Sequence, residues 1–385
     1  MRLINSSAAS EGAVFYFNLL PEITMITPVR YNPSFEVLEE EEAKTEQGFI
    51  DTLLGISNKT FADSGHAIRS VHAKSHALLR ATLTVIDHVA PEYAQGIFAK
   101  AGTFPVIMRL STSPGDILDD KISTPRGVAL KIIGVEGARV DGSEGDVTQD
   151  FIMVNGPVFS APTGKKFLGN LKLLAGTTDK APGLKLALSA ALRGAEKVIE
   201  AVGGESATLK AMGGHPETNP LGETYFSQVP VLFGDYMAKI SLAPVSPELT
   251  VLKDAPVDLK GTPDGLRHAM QQHFASQGGE WELRVQLCTD LETMPIEDAT
   301  VEWKQDQSPF VAVARLKVAP QEGWSEALSK KIDDGIQFSP WHAVAAHRPI
   351  GSIMRIRKAA YQASQKFRTE KNGAPLVEPK DMSGF

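Results

Sequence analysis

The sequence predicts an α+β protein, a closed antiparallel β-barrel carrying helices, with a further helix near the C-terminus. Two observations carry this. Short apolar, β-branched runs bounded by Gly, Pro and Asp turns recur along the chain, as barrel strands do. Longer segments with apolar residues at helical spacing lie between and after them. The chain has 385 residues, 42% hydrophobic and 22% charged, enough to bury a real core. No internal repeat or low-complexity linker divides it, so we expect an N-terminal arm over residues 1–45 and one domain over residues 46–385.

The elements follow in order. The arm ends in the acidic "LEEEEAKTE" (Leu38–Glu46), read as helical, and helix signals continue through "GFIDTLLGIS". "FADSGHAIRS" should cap and start a further short turn at Asp63 or Ser64. Strands are expected over Ala81–Asp87, Phe104–Thr112, Arg126–Gly134 and Gln149–Asn155. Helices follow over 164–176 and 183–202, then strands over 281–289 and 310–318. The last element, Ile350–Arg368, is a helix rich in Ala, Lys, Arg and Gln.

Several function classes are excluded early. With 39 basic and 46 acidic residues the net charge is -7, which argues against nucleic acid as a partner. The apolar run Ala13–Leu20 is too short to span a bilayer and reads as an extension rather than a secretion signal. No other segment is long and apolar enough for a membrane helix, and a cytoplasmic location is expected. The lone Cys288 precludes a disulfide within the chain and a cysteine-based zinc site, and reads as a small core residue. Nucleotide-binding glycine motifs, GxSxG and HExxH are absent. His66, His72 and His76 have spacings that fit no common zinc motif, and alone they read as structural. His342 and His347 are expected to be turn or surface residues.

Four segments rise above this background when taken together: "RSVHAK" (Arg69–Lys74), "VIMRLST" (Val106–Thr112), "TPRGVALKIIG" (Thr124–Gly134) and "RKAAY" (Arg357–Tyr361). Singly each is ordinary; an arginine such as Arg109 in a strand is usually an ion-pair residue, and a helical Tyr361 a packed aromatic. In this order they resemble the catalase superfamily of haem enzymes, with Leu110 where that family usually has Phe. The resemblance runs from about Phe61 to Arg368 and is nearest to the small catalase-related proteins, which include peroxidases and allene oxide synthase domains.

The resemblance implies a catalase-like barrel and haem b as cofactor. It implies Tyr361 as the iron ligand, with Arg357 bonded to the phenolate oxygen, and His72 as the distal acid–base residue near Ser111. It implies Arg69, Arg109 and Arg368 as partners of the haem propionates, and Val71, Phe159 and Phe338 as apolar residues against the macrocycle. The chemistry accepts these types. A phenol keeps its proton at neutral pH, so ligation as an anion draws on ferric iron and a nearby cation. Residues four apart on a helix are neighbours, so Arg357 can reach Tyr361. A neutral imidazole can move a proton between two peroxide oxygens.

Two departures limit the likeness. Aligned back from Phe159, the family's second distal residue, an Asn, falls at Asp146, which puts fast hydrogen peroxide dismutation in question. Only "TEKNGAPLVEPKDMSGF" follows Arg368, so the wrapping segment and helical C-terminal domain of full-length catalases are expected to be absent or shortened. Val71 stands where allene oxide synthases have Thr before the distal His, which tilts the expectation toward peroxidase or catalase chemistry. The expected function is a haem peroxidase acting on hydrogen peroxide or organic hydroperoxides, with some catalase activity. A fatty-acid hydroperoxide isomerase or dehydratase is the alternative, and a non-catalytic haem-binding or sensing module a third. The expected partners are a peroxide and an electron donor the sequence does not identify, with room for a homo-oligomer.

Overall fold

The structure is a computed structural model and describes residues 27–113, 115–176 and 216–385. The helix expected over 183–202 and the apolar run Ala13–Leu20 lie outside the described residues.

Among the described residues nine strands form one antiparallel sheet: β1 (Lys74–Val85), β2 (Thr103–Thr112), β3 (Arg126–Ile133), β4 (Thr148–Val154), β5 (Tyr225–Phe226), β6 (Val231–Phe233), β7 (Tyr236–Pro244), β8 (Gly279–Leu287) and β9 (Val311–Val318). Their order is β5-β4-β3-β2-β1-β9-β8-β7-β6. β5 closes the sheet, pairing with β4 at Val154↔Phe226 and with β7 at Tyr225↔Leu242. Closure pairs the edges that an open sheet would leave to solvent or to other chains.

The barrel interior takes alternate residues of each strand: Leu79, Ala81 and Leu83 of β1, Met108 and Leu110 of β2, Leu130 and Ile132 of β3. Full burial of one such aliphatic side chain contributes roughly 1.5–3 kcal/mol. β3 is buried on both faces along its whole length. That explains why "RGVALKII" reads as a continuous run rather than an alternation. Its outer face meets a second cluster, in which Leu78, Ile107, Ala129 and Ile133 pack on Ile332, Ile336 and Phe338.

Helices cover this outer wall. α1 (Glu42–Ser64), α2 (Gly164–Ala175), α3 (Pro247–Thr250), α4 (Gly265–Ser276), α5 (Glu326–Ile332) and α6 (Ser352–Asn372) are the α-helices among the described residues. α1 and α6 share an apolar cluster of Phe49, Leu53, Ile56, Ile356 and Ala360. α1 ends at Gly65, whose φ of 69° is a left-handed cap that glycine adopts without steric cost.

Three expectations need correction. "FADSG" ends a long helix instead of starting a short one: the buried face of α1 continues past Ile56 through Ser57 and Thr60, and Phe61 packs on Phe367 of α6 with ring centroids 6.2 Å apart, so tertiary contacts extend the helix. β1 begins at Lys74, seven residues before the expected Ala81, because Lys74 and Ser75 are buried strand residues with polar partners. β7 is not among the expected strands, since its buried Lys239 and Ser241 break up an otherwise apolar run. Cys288 is buried, in a cluster with Met237, Met294 and Trp303.

Candidate active site

The segment between α1 and β1 carries Arg69, Val71 and His72 over one end of β2 and β3. His72 has a φ of 50°, a left-handed conformation that costs a non-glycine residue about 1–3 kcal/mol. Arg109 of β2 offsets this by donating to the carbonyls of His72 at 2.8 Å and Ala73 at 3.2 Å. The imidazole lies against the backbone of Gly127 on β3; a Cβ there would sit 2.6 Å from His72 Cε1. Ser111 Oγ is 3.3 Å from His72 Nδ1. Burial, reinforced by the charges of Arg109 and Arg357, pushes the His72 pKa down to about 3, so the imidazole is neutral at physiological pH.

Tyr361 and Arg357 sit on α6, one turn apart, and Arg357 Nη2 donates to Tyr361 Oη at 2.7 Å. Arg357 Nη1 also reaches Met354 Sδ at 3.6 Å. Gln337 Nε2 donates to the Tyr361 backbone carbonyl at 2.9 Å.

His72 and Tyr361 line one cavity, together with Arg69, Val71, Arg109, Ser111, Phe338 and Arg368. The four segments singled out in the sequence therefore meet at one place. The wall formed by Val128, Ala129, Ile152 and Met153 is apolar.

The three arginines gather at the C-terminal end of α5, where helix carbonyls favour positive charge. Arg69 Nη2 donates to the carbonyls of Ile332, Asp333 and Ile336 at 3.0, 3.1 and 3.0 Å. Arg368 Nη1 donates to the Asp333 carbonyl at 2.5 Å, and Arg109 Nε to the Asp333 carboxylate at 2.6 Å. Arg69 Nε and Arg368 Nε are buried donors with no hydrogen-bond partner. Burial and the neighbouring guanidinium groups pull the Arg69 pKa well down, and burial first of all lowers that of Arg368 to about 10. Phe338 is buried beneath, with the Arg69 guanidinium 5.6 Å from its ring centroid.

Two expected residues are not brought to this cavity. Asp146 lies in the loop between β3 and β4, outside the cavity lining. Burial and the nearby Glu378 raise its pKa, while His342, Arg139 and Lys131 act the other way. Phe159 packs on Phe167 with ring centroids 4.7 Å apart, also outside the lining. His66 pairs with Asp334 at 2.9 Å, and His76 is buried with its Nε2 3.0 Å from Thr112 Oγ1.

His342 lies in a turn, its N–H donating to the Ser339 carbonyl at 3.0 Å, and His347 ends a 3₁₀ turn (Ala345–His347), as expected, but neither ring is at the surface. His347 is buried among Phe98, Phe151 and Phe233, and its Nε2 accepts from the Ile97 N–H at 3.1 Å. His342 joins Asp150 and Glu378, a grouping whose ligand atoms lie close enough together for a metal. Lys131 fills the cationic role there: its ammonium lies 2.9 Å from both Asp150 oxygens, 3.0 Å from His342 Nδ1, and in contact with Glu378. Gly127, Asp333 and Gln337 join the site without having been expected there. Gly127 falls inside a quoted segment, but a glycine's steric role shows only once its neighbour across the strands is known. Asp333 in "KKIDDGIQF" carries no local signature at all.

Among solved structures, a fungal catalase matches with a TM-score of 0.55 and 16% identity, covering 84% of this chain and 66% of that chain. A bacterial catalase matches with a TM-score of 0.57 and 15% identity, covering 98% of this chain and 70% of that chain. This chain thus spans about two thirds of the length of those catalases. No protein-family model matches the chain, and no curated protein matches it in sequence.

Proposed function

The chain has the catalase fold, and from that premise we propose that it is a haem-dependent peroxidase that cleaves hydrogen peroxide or organic hydroperoxides, with some catalase activity. The observation that carries this reading is the single cavity holding a neutral His72 and an arginine-bonded Tyr361. The residues fit haem b. Tyr361 would hold the iron through its phenol oxygen, with Arg357 stabilising the anionic form. Arg69, Arg109 and Arg368 would hold the two propionates, and two of these three still have an unspent buried donor. Val71 and Phe338 would flank the ring.

Bound haem supplies the oxidising chemistry at the iron. The protein's own contribution is proton handling and orientation. Ser111 occupies the Nδ1 side of His72, which leaves Nε2 as the nitrogen that takes a proton from one peroxide oxygen and returns it to the other. Gly127 and Arg109 hold the imidazole and its strained backbone in place, so this transfer needs no rearrangement of the residue.

One observation favours a second reading, conversion of a fatty-acid hydroperoxide. The apolar wall of Val128, Ala129, Ile152 and Met153 suits a hydrocarbon tail, and Asp146 does not line the cavity. The test is to purify the chain under haem-replete expression and record the Soret band. Oxygen release from hydrogen peroxide, oxidation of a phenolic donor, and the products from a fatty-acid hydroperoxide are then compared. Absence of haem uptake refutes the proposal, and exclusive rearrangement of the lipid peroxide replaces the first reading with the second.

A further inference from the structure

Asp333 meets all three arginines of the cavity. Its Oδ1 accepts from Arg109 Nε at 2.6 Å and lies 3.9 Å from Arg69 Nε. Its backbone carbonyl accepts from Arg69 at 3.1 Å and from Arg368 at 2.5 Å. Its Oδ2 is fixed by the hydroxyls of Ser75 at 2.6 Å and Ser329 at 2.8 Å. The neighbouring Asp334 is turned to His66, at 2.9 Å, on the partly exposed side.

The charge balance is uneven. Three guanidinium groups face one buried carboxylate, that of Asp333, an excess of two positive charges in the buried place; the carboxylate of Asp334, which also acts on Arg69 and Arg368, lies on the partly exposed side with His66. Uncompensated buried charge of one sign is costly, and the lowered proton affinity of Arg69 reflects burial together with repulsion from Arg368 and Arg109. Burial alone would raise the Asp333 pKa, yet the charges of Arg109 and Arg69 hold it below the ordinary carboxylate value. The cluster is therefore arranged to accept more negative charge than it contains, and two of its donors are free to do so.

Building on the reading of this cavity as a haem site, we infer that Asp333 is a positioning residue, a resident anion that holds Arg69, Arg109 and Arg368 together before a ligand arrives and leaves two unspent charges that select a dianionic ligand. Its side chain competes with the ligand's carboxylates for the same cations. Removing it should thus weaken the ligand-free protein more than the loaded one, and by linkage raise the stabilisation that a dianionic ligand provides.

The test compares the full chain with Asp333→Asn, which keeps size and can still accept hydrogen bonds. The probes are haem, iron-free protoporphyrin IX, and the dimethyl ester of that porphyrin, which lacks the two carboxylates. The expected result is that ligand-free Asp333→Asn melts several degrees below the wild type. Haem and the free-acid porphyrin should each raise its melting temperature by more than they raise that of the wild type, and the ester should not. With haem bound, the ferric–ferrous midpoint potential of the variant should be more positive, because a negative charge beside the three arginines of the cavity has been removed. Equal melting of the two ligand-free proteins, or equal gains from the free-acid porphyrin, overturns the inference. If the ligand-free variant does not fold, the potential of the haem-loaded variant decides, and an unchanged value overturns it. A wild type that binds haem and porphyrin while the variant behaves identically refutes the role of Asp333 alone. A wild type that binds neither refutes the haem reading and this inference with it.

Discussion

Gly127 and His72 show how much a single position carries. The imidazole occupies the space that any side chain on residue 127 would fill, since a Cβ there would lie only 2.6 Å from Cε1. Gly127→Ala should displace the ring while leaving Tyr361 and the arginines in place. We expect the variant to keep its haem content and to lose peroxide turnover. A Soret spectrum and a peroxidase assay check this, and wild-type turnover would contradict it. His72→Ala removes the proposed proton-transfer group outright and should lower peroxide turnover by roughly 10²–10⁴-fold. On the proposed reading haem should remain bound in that variant, since the proposed iron ligand, Tyr361, lies on α6. Tyr361→Phe should do the reverse, losing or loosening the haem, as the pyridine haemochrome of the purified protein will report.

At the scale of elements, β3, β4 and the C-terminal tail are joined by a buried ionic cluster. Lys131 of β3 and Asp150 of β4 are fully enclosed, and Glu378 reaches them from the tail beyond α6. His342 and Lys131 lower the Glu378 pKa to about 2 in spite of its burial, so the carboxylate stays charged. Val377 N–H donates to the Gly335 carbonyl at 2.9 Å, and Met382 and Phe385 pack on the cluster that contains Phe338. The tail thus braces the outer wall of the cavity. Removing one member of a buried pair leaves a charge without compensation. Asp150→Ala should destabilise the protein by about 3–5 kcal/mol, measured by urea unfolding, and a change below about 1 kcal/mol would contradict this account. Nothing in the sequence marks His342 or Glu378 for this role, because the partners of Lys131 come from separate parts of the chain.

For the whole molecule, buried neutral histidines set the response to acid. His72 is lowered to about 3 and His347 to about 4, in each case chiefly by burial, and His76 is also lowered well below its ordinary value. In the unfolded chain each would bind a proton near pH 6.5. Stability from these groups is therefore fully present above pH 6.5 and is lost as the pH falls toward 4 and then 3. His342, raised to about 9 by Asp150 and Glu378 against burial and Lys131, acts in the opposite sense and only above pH 6.5. Urea titrations of the ligand-free protein at pH 6.5 and pH 5 should show lower stability at the more acid value; equal stability would contradict the burial of neutral imidazoles. Among the described residues no helix is long and apolar enough to cross a membrane.

Local patterns along the chain were enough for the barrel class, most of its strands, the long C-terminal helix, and the four segments whose His72, Arg109 and Tyr361 meet in one cavity. Apolar runs, helical spacing and residue types at fixed intervals need no knowledge of distant neighbours. Which other residues join them was settled only by the folded arrangement. It enclosed His347 in the core and assigned His342 to Lys131, since burial depends on what packs from elsewhere in the chain. It directed Asp146 and Phe159 away from the cavity, because loop paths do not follow an ungapped alignment. It brought Asp333 under three arginines from a segment with no signature, because electrostatic complementarity is a property of positions in space.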